Sequence, residues 1–248
     1  MPQYLMLRLD GPMVAFGEVM VDRFGPIRDT PSLSAITGLV GNALGWRRED
    51  GGKLSGLQAR LVFGTRIDRV ESRITDFQTA QLGADDRWWT TSGVFADRAG
   101  GAATYDSPHL RARDYDVGVQ LTLAMRLEPI AQDPTLAQVA AALLRPARPL
   151  FLGRKSCLPA APLHNGFVEA DSAFAALRGW PLPAGHAGRG QESTDPRRRF
   201  VLPSSELCPA GFREVTATEC RDWVAGVHAG IQRRFFGVAE CSSAGEAA

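Results

Sequence analysis

The chain has 248 residues, with 28 Lys+Arg against 27 Asp+Glu, a formal net charge of +1. That balance excludes a nucleic-acid binder that works by bulk electrostatics, and 44% hydrophobic with 22% charged residues excludes disorder, collagen-like repeats and coiled coil. No run approaches the roughly 18 apolar residues needed to span a bilayer, and the start MPQYLMLRLDG lacks the features of a signal peptide, so the protein is expected in the cytosol, without a membrane partner.

Tyr4 to Leu9 alternates as a strand does, and Asp10-Gly11-Pro12 stops it. A loop carrying Arg23 and Arg28 follows. Thr30 as cap, Pro31 in the first helical position and Leu33, Ile36, Leu39, Val40, Ala43 and Leu44 at three-to-four spacing predict a helix ending at Gly45. Leu61 to Ile67 reads as a second strand. From about Thr75 to Asp116 there is no helical period, and the stretch reads as an extended excursion, a long hairpin. Val117 to Leu127 alternates at six positions and is a third strand. Asp133-Pro134 opens a helix over Thr135 to Leu144, stopped by Pro146 and Pro149.

The series strand, helix, strand, insertion, strand, helix predicts an α+β fold with a ferredoxin-like sheet, the RNA-recognition-motif type. Its fourth strand comes from Asn165 to Ala170 or from Phe212 to Thr218. Ala184 to Arg199 has no apolar face and reads as a mobile loop, and the tail after Glu240 reads as disordered. Residues 1–74 and 117–148 would form the sheet core, 75–116 the insertion, and 149–240 a C-terminal part that completes the sheet.

Gly 26 and Pro 16 make about 17% of the chain, against a background near 12%, so loops are expected to be abundant. Only Lys53 and Lys155 are lysines, and every other basic residue is Arg. Arginine suits bidentate phosphate binding and stacking on bases, but a GC-rich coding bias enriches it too. More informative is RPARPLFLGRKSC, Arg145 to Cys157: Arg145, Arg148, Arg154 and Lys155 occur there without an acid, and two prolines and Gly153 hold the backbone irregular. Ser156 and nearby N–H groups add donors for phosphate oxygens. The alternative is a solvated turn whose arginines satisfy helix-end carbonyls. Trp88 and Trp89, with Tyr105, offer faces to unpaired bases, although the excursion is net acidic. The four cysteines (157, 208, 220, 241) are far apart and lack zinc spacing. His109, His164, His186 and His228 form no recognisable constellation, and GxGxxG, Walker A and HExxH are absent. No metal, cofactor or catalytic residue is predicted.

Four segments in order carry a family resemblance: YLMLRLDGPMVAFG (Tyr4 to Gly17), PSLSAITGLVGNALG (Pro31 to Gly45), DFQTA (Asp76 to Ala80) and PLFLGRKSC (Pro149 to Cys157) followed by Pro159 and Pro162. Together they resemble the CasD family, the Cas-five subunits (RAMP superfamily) of type I-E CRISPR Cascade surveillance complexes, over most of the chain to about Cys220. The resemblance implies an RNA-recognition-motif-like domain, a long β-hairpin thumb inserted in it, and a smaller irregular C-terminal part. It implies a non-catalytic subunit that holds the 5′ handle of the CRISPR RNA and caps the assembly. Backbone and large subunits would be its neighbours, and target DNA would be met only through the complex. The thumb would be the excursion, with Trp88, Trp89, Tyr105, Arg111 and Arg113. The handle surface would use Arg23, Arg28, Ser32 and Ser34, together with Gly153, Arg154, Lys155, Ser156 and Cys157 and the preceding Arg145 and Arg148. A related Cas-five branch, in type I-C systems, cleaves precursor RNA with Tyr, Lys and His side chains. An endoribonuclease built on Tyr105, Lys155 and His164 is therefore the alternative.

Overall fold

The computed structural model describes residues 1–80, 109–183, 197–228 and 230–241, together with the backbone of 88–89 and 95–96. The chain opens with β1 (Gln3–Val14), the two-residue strands β2 (Phe16–Gly17), β3 (Phe24–Gly25) and β4 (Ile27–Arg28), and the helices α1 (Leu33–Ala43) and α2 (Gly51–Arg60). Then come β5 (Leu61–Arg69), β6 (Ser72–Ala80), β7 (Trp88–Trp89), β8 (Phe95–Ala96), β9 (His109–Leu127), α3 (Leu136–Leu144), β10 (His164–Glu169) and α4 (Ala173–Gly179). The last elements are β11 (Arg197–Pro203), β12 (Arg213–Ala217), β13 (Arg221–Asp222), β14 (Val227–His228) and β15 (Gln232–Glu240). The protein is mixed α+β, as the element series predicts, with one large and mainly antiparallel sheet.

That sheet runs β10-β1-β9-β5-β11-β15-β12, with β3 and β6 also pairing with β9. Its centre is apolar on both faces because β1 is covered twice. Leu5, Leu7 and Leu9 face one way, opposite Met125, Leu123 and Leu121 of β9, and pack under Ile36, Val40, Leu57, Val139 and Leu143 of the helices. Tyr4 and Met6 face the other way, into a second core with Phe200 and Leu202 of β11 and Ala173, Ala176 and Leu177 of α4. All five β1 side chains from Tyr4 to Leu7 and at Leu9 are fully buried, which at roughly 1.5–3 kcal/mol for each large apolar side chain makes this strand the anchor of the fold.

Several expectations shift by a few residues. The cap of α1 is Ser32, whose Oγ accepts from Ala35 N at 3.2 Å, and Thr30 and Pro31 precede the helix. Helix α2 escapes a periodicity reading because three glycines dilute it and only Leu54 and Leu57 carry its buried apolar face. Arg60, at its end, is 5% exposed and donates to the carbonyls of Pro129, Gln132, Asp133 and Pro134, so α2 is tied to the turn before α3. Thr135 and Gln138 form a capping box at α3. Both candidates for a fourth strand join the sheet, at opposite edges: His164–Glu169 pairs with β1 and Arg213–Ala217 with β15. Arg197–Arg199 belong to β11 and not to a loop, because burying Phe200 and Leu202 draws the residues before them into register with Val238–Glu240. Residues 184–196 lie outside the described residues, as do 242–248; Cys241 is buried in the second core.

The excursion begins as an arm of the sheet. Strand β9 continues beyond the core to His109, and β6 pairs with it from Ser72↔Val117 to Ala80↔His109. Where pairing passes from β5 to β6, Gly118 has φ +61, and a Cβ there would lie 2.3 Å from the Glu71 carboxyl carbon. Glycine takes that conformation without strain, and any other residue there would also have to displace the Glu71 side chain.

Candidate nucleic-acid interface

The loop after Leu152 is built against the end of β1. Ala15 N donates to Leu152 O (3.0 Å), Leu152 N to Cys157 O (2.8 Å) and Cys157 N to Arg154 O (2.9 Å). Gly153 has φ +98, and a Cβ would sit 1.9 Å from Ala15 O, so the backbone approaches as closely as glycine allows. Cys157 is 1% exposed, and burial pushes its thiol up, which makes it a packing residue.

Arg154 points inward. Its Nη1 donates to Asp114 O (2.8 Å), its Nη2 to Gly25 O (3.1 Å), and its guanidinium lies 4.7 Å from the centre of the Tyr115 ring. It therefore staples three segments: the loop, the strand β3 that runs parallel to Ala112–Arg113, and the foot of the arm. Lys155 and Ser156 are left exposed. The anion site expected from four cations in one segment does not form as such. Arg148 donates through Nε to Asn42 Oδ1 (2.7 Å) and through Nη2 to Trp46 O, at the far end of α1, and Arg145 is exposed just after α3.

Of the other expected contacts, Arg28 is committed to Glu18 (2.6 Å), Glu219 (3.4 Å) and the Thr218 carbonyl (3.2 Å). Ser34 is 7% exposed and sits 3.1 Å from Ser32 Oγ, so its hydroxyl is buried, whereas Ser32 is half-buried with its Oγ accepting from Ala35 N. The first N–H groups of α1 are also taken: Leu33 N donates to Glu219 Oε2 (3.3 Å) and Ser34 N to Glu219 O (3.1 Å). Glu219 is 5% exposed and accepts from Arg234 Nε (3.2 Å) and Nη2 (3.0 Å). The sequence reading missed it, and no local signal marks it.

Cations that remain accessible gather around Gly25. Arg23 is exposed, with its guanidinium 5.1 Å from the Phe24 ring centre, and its carbonyl accepts from Ala112 N. Arg113 is half-buried, with its Cγ 3.7 Å from the position a Gly25 Cβ would take. Lys155 and Ser156 follow the Arg154 staple. At the foot of the arm Arg73 bridges Asp116 (2.8 Å) and Asp29 (2.7 Å), and Arg199 also reaches Asp29 (2.9 Å). The Asp116 hydrogen bond and charge hold the Arg73 guanidinium above its ordinary range. Arg111 is exposed and donates to its own strand at Leu110 O. Trp88 and Trp89 pair in backbone with Phe95–Ala96; their side chains, and Tyr105, lie outside the described residues. His164 opens β10, edge-on to Phe167 at 5.8 Å. Among the described residues no cluster of His, Cys, Asp or Glu could hold a metal ion, and no helix is long and apolar enough to cross a membrane.

Fold and site together define a sheet protein with helices packed on the central strands, a hairpin arm continuing from one of them, and a glycine-built loop stapled to the foot of that arm. The chain belongs to the CRISPR-associated protein (Cas_Cas5) family, whose model matches residues 4–234. It is 31% identical over 177 residues to the CRISPR system Cascade subunit CasD of Escherichia coli (strain K12), covering 71% of this chain and 76% of that one. Its fold is similar to a chain of a CRISPR RNA-guided surveillance complex, with a TM-score of 0.62, 22% identity and coverage of 96% and 90%. A second similar structure, a Cas protein, has a TM-score of 0.55 at 23% identity, with coverage of 97% and 95%.

Proposed function

We propose that this chain is a non-catalytic subunit of a type I-E Cascade complex that grips the 5′ handle of the CRISPR RNA and caps one end of the assembly. The observation that carries this reading is the loop Gly153–Cys157: its backbone is pressed onto Ala15, its Arg154 is anchored by the carbonyls of Asp114 and Gly25, the latter two residues from exposed Arg23 and next to the Arg113 side chain, and Lys155 and Ser156 are left exposed after it. Cations held on a rigid backbone suit a bent single strand, whose phosphates are met by arginine and lysine while its bases turn away.

In this reading residues 75–116 are an inserted thumb that reaches a neighbouring backbone subunit, and residues 149–240 close the sheet. Handle phosphates contact Arg23, Arg113, Lys155 and Ser156, whereas Arg28, Arg148, Arg154, Ser34 and Cys157 shape the surface without touching RNA. The large subunit is the other protein neighbour, target DNA is met only through the complex, and the protein works in the cytoplasm. In this reading the strand it binds leaves intact; of the trio Tyr105, Lys155 and His164 that a cleaving site would use, His164 lies on β10 with its ring edge-on to Phe167, Lys155 lies in the loop after Gly153, and Tyr105 lies outside the described residues.

The test is binding of repeat-derived handle RNA to the full chain co-expressed with its neighbouring subunits. Arg23→Ala with Lys155→Ala should release the handle and leave the fold intact. Full retention by the double variant overturns the site, and specific cleavage of repeat RNA in EDTA overturns the non-catalytic role.

A further inference from the structure

Beyond the handle loop, a second set of cations collects at the opposite end of α1, of which only Arg148 has a role above, as a residue that shapes the handle surface without touching RNA. A cleft of about 250 Å³ lies between α1, α2 and the β13–β14 turn, lined by Arg47, Arg48, Arg148 and Arg221 with Trp46 and Trp223 and by no acidic residue. Its floor is backbone: Gly38 and Gly41 face it without side chains, and a Cβ on Gly38 would meet only Trp223 Cη2, at 3.4 Å.

The donors are largely unspent. Arg48 makes no hydrogen bond or ion pair to any described residue. Arg47 meets Glu49 at 3.4 Å with both side chains about three-quarters exposed, a pair that holds little. Arg221 gives Nη2 to Gly226 O while its Nε is buried without a partner. Arg148 is fixed by Asn42 and Trp46 O, so one guanidinium is already oriented. Of the two indoles in the lining, Trp223 gives its N–H to Gln58 Oε1 (3.1 Å) and has Arg221 5.1 Å from its ring centre, and Trp46 is half-buried, packed against the main core.

Guanidinium groups without carboxylates select an anion, and two indoles select a planar group beside it. An acidic peptide would satisfy the first condition and leave the indoles idle. The volume, below the roughly 300–1,000 Å³ of sites that enclose drug-sized ligands, admits one base and no dinucleotide cofactor. We propose that this cleft holds one nucleotide of a single-stranded nucleic acid, its base against Trp46 or Trp223 and its phosphate among Arg47, Arg48 and Arg221.

The probe is an unstructured oligoadenylate, photo-crosslinked to the full-length chain and mapped by peptide mass spectrometry. Adducts are expected on the peptides containing Trp46 and Trp223. Arg48→Glu should lower their yield about tenfold, the scale of one lost stacked and paired nucleotide. Gly38→Leu should do the same by filling the cleft while favouring the helix. Lys155→Ala should leave this yield unchanged, so failure of the handle site and failure of this one are distinguishable. Absence of adducts there, yields in both cleft variants that match the parent's, or displacement by polyglutamate at matched charge would overturn the proposal, the last by making the cleft a protein contact.

Discussion

Replacing Gly153 by alanine probes the loop that presents Lys155. The native φ of +98 is a conformation an L side chain adopts at a cost of about 1–2 kcal/mol. The new Cβ would also start 1.9 Å from Ala15 O, which must retreat and loosen the Ala15 N to Leu152 O bond, a further cost of about 1 kcal/mol. Arg154 sits on the same loop, and partial loss of its two carbonyl contacts adds roughly 1–2 kcal/mol. The expected destabilisation is about 3–5 kcal/mol, which for a urea slope near 3 kcal/mol per M moves the unfolding midpoint down by roughly 1–1.7 M. Gly52→Ala is the matched control. It lies in α2 with nothing within 4 Å of its Cβ, and it should stabilise by about 0.5–1 kcal/mol. Urea unfolding followed by circular dichroism reads both. A Gly153→Ala midpoint equal to that of the parent would refute the packing of loop on strand described above.

Glu219→Ala should cost about 3–5 kcal/mol, because Arg234, with 3% side-chain exposure, is left as a buried charge without its carboxylate; Glu219→Gln, which keeps an acceptor, should cost less, and chemical denaturation separates the two. Arg23→Ala and Lys155→Ala should each leave the unfolding midpoint within about 0.5 kcal/mol of the parent. Each should also flatten the log–log salt dependence of handle-RNA binding by about 0.7, as for one phosphate contact to a single strand. Alkylation of the native protein should modify exposed Cys208 first and leave Cys157 and Cys241 unlabelled until unfolding, since burial raises both thiols. The folded state holds those two protons more tightly than the unfolded chain does. Their contribution to stability is therefore full below the ordinary thiol value and is lost as pH climbs past it, which a denaturation series from pH 7 to pH 10 measures.

Elements with an unbroken period were legible from the residues alone. The alternation of β1 and of Val117 to Leu127, and the spacing of Leu33, Ile36, Val40 and Ala43, reflect burial on defined faces. Helix α2 was not legible, because its glycines and two leucines give too weak a period. The start of β11 was not either: three arginines read as solvent-facing until Phe200 and Leu202 are seen to be buried. At the site, Gly153 and the exposed Lys155 follow from the local sequence. The direction of Arg154 does not, because its partners are backbone carbonyls of residues 25 and 114, which carry no sequence signal. Glu219 is hidden for a related reason. It meets Arg28 across 191 positions, and only the assembled sheet brings its carboxylate to the first turn of α1.

The central claim, that residues 153–157 cradle the 5′ end of a guide RNA, is most directly tested by placing a photoreactive nucleotide at each handle position in turn. The assembly is then reconstituted, and the crosslinked residues of this chain are identified. The account predicts adducts concentrated on Lys155, Ser156 and Arg23 and confined to handle positions. Handle nucleotides crosslinking elsewhere on the chain, with the 153–157 loop unmodified at every position, would contradict it.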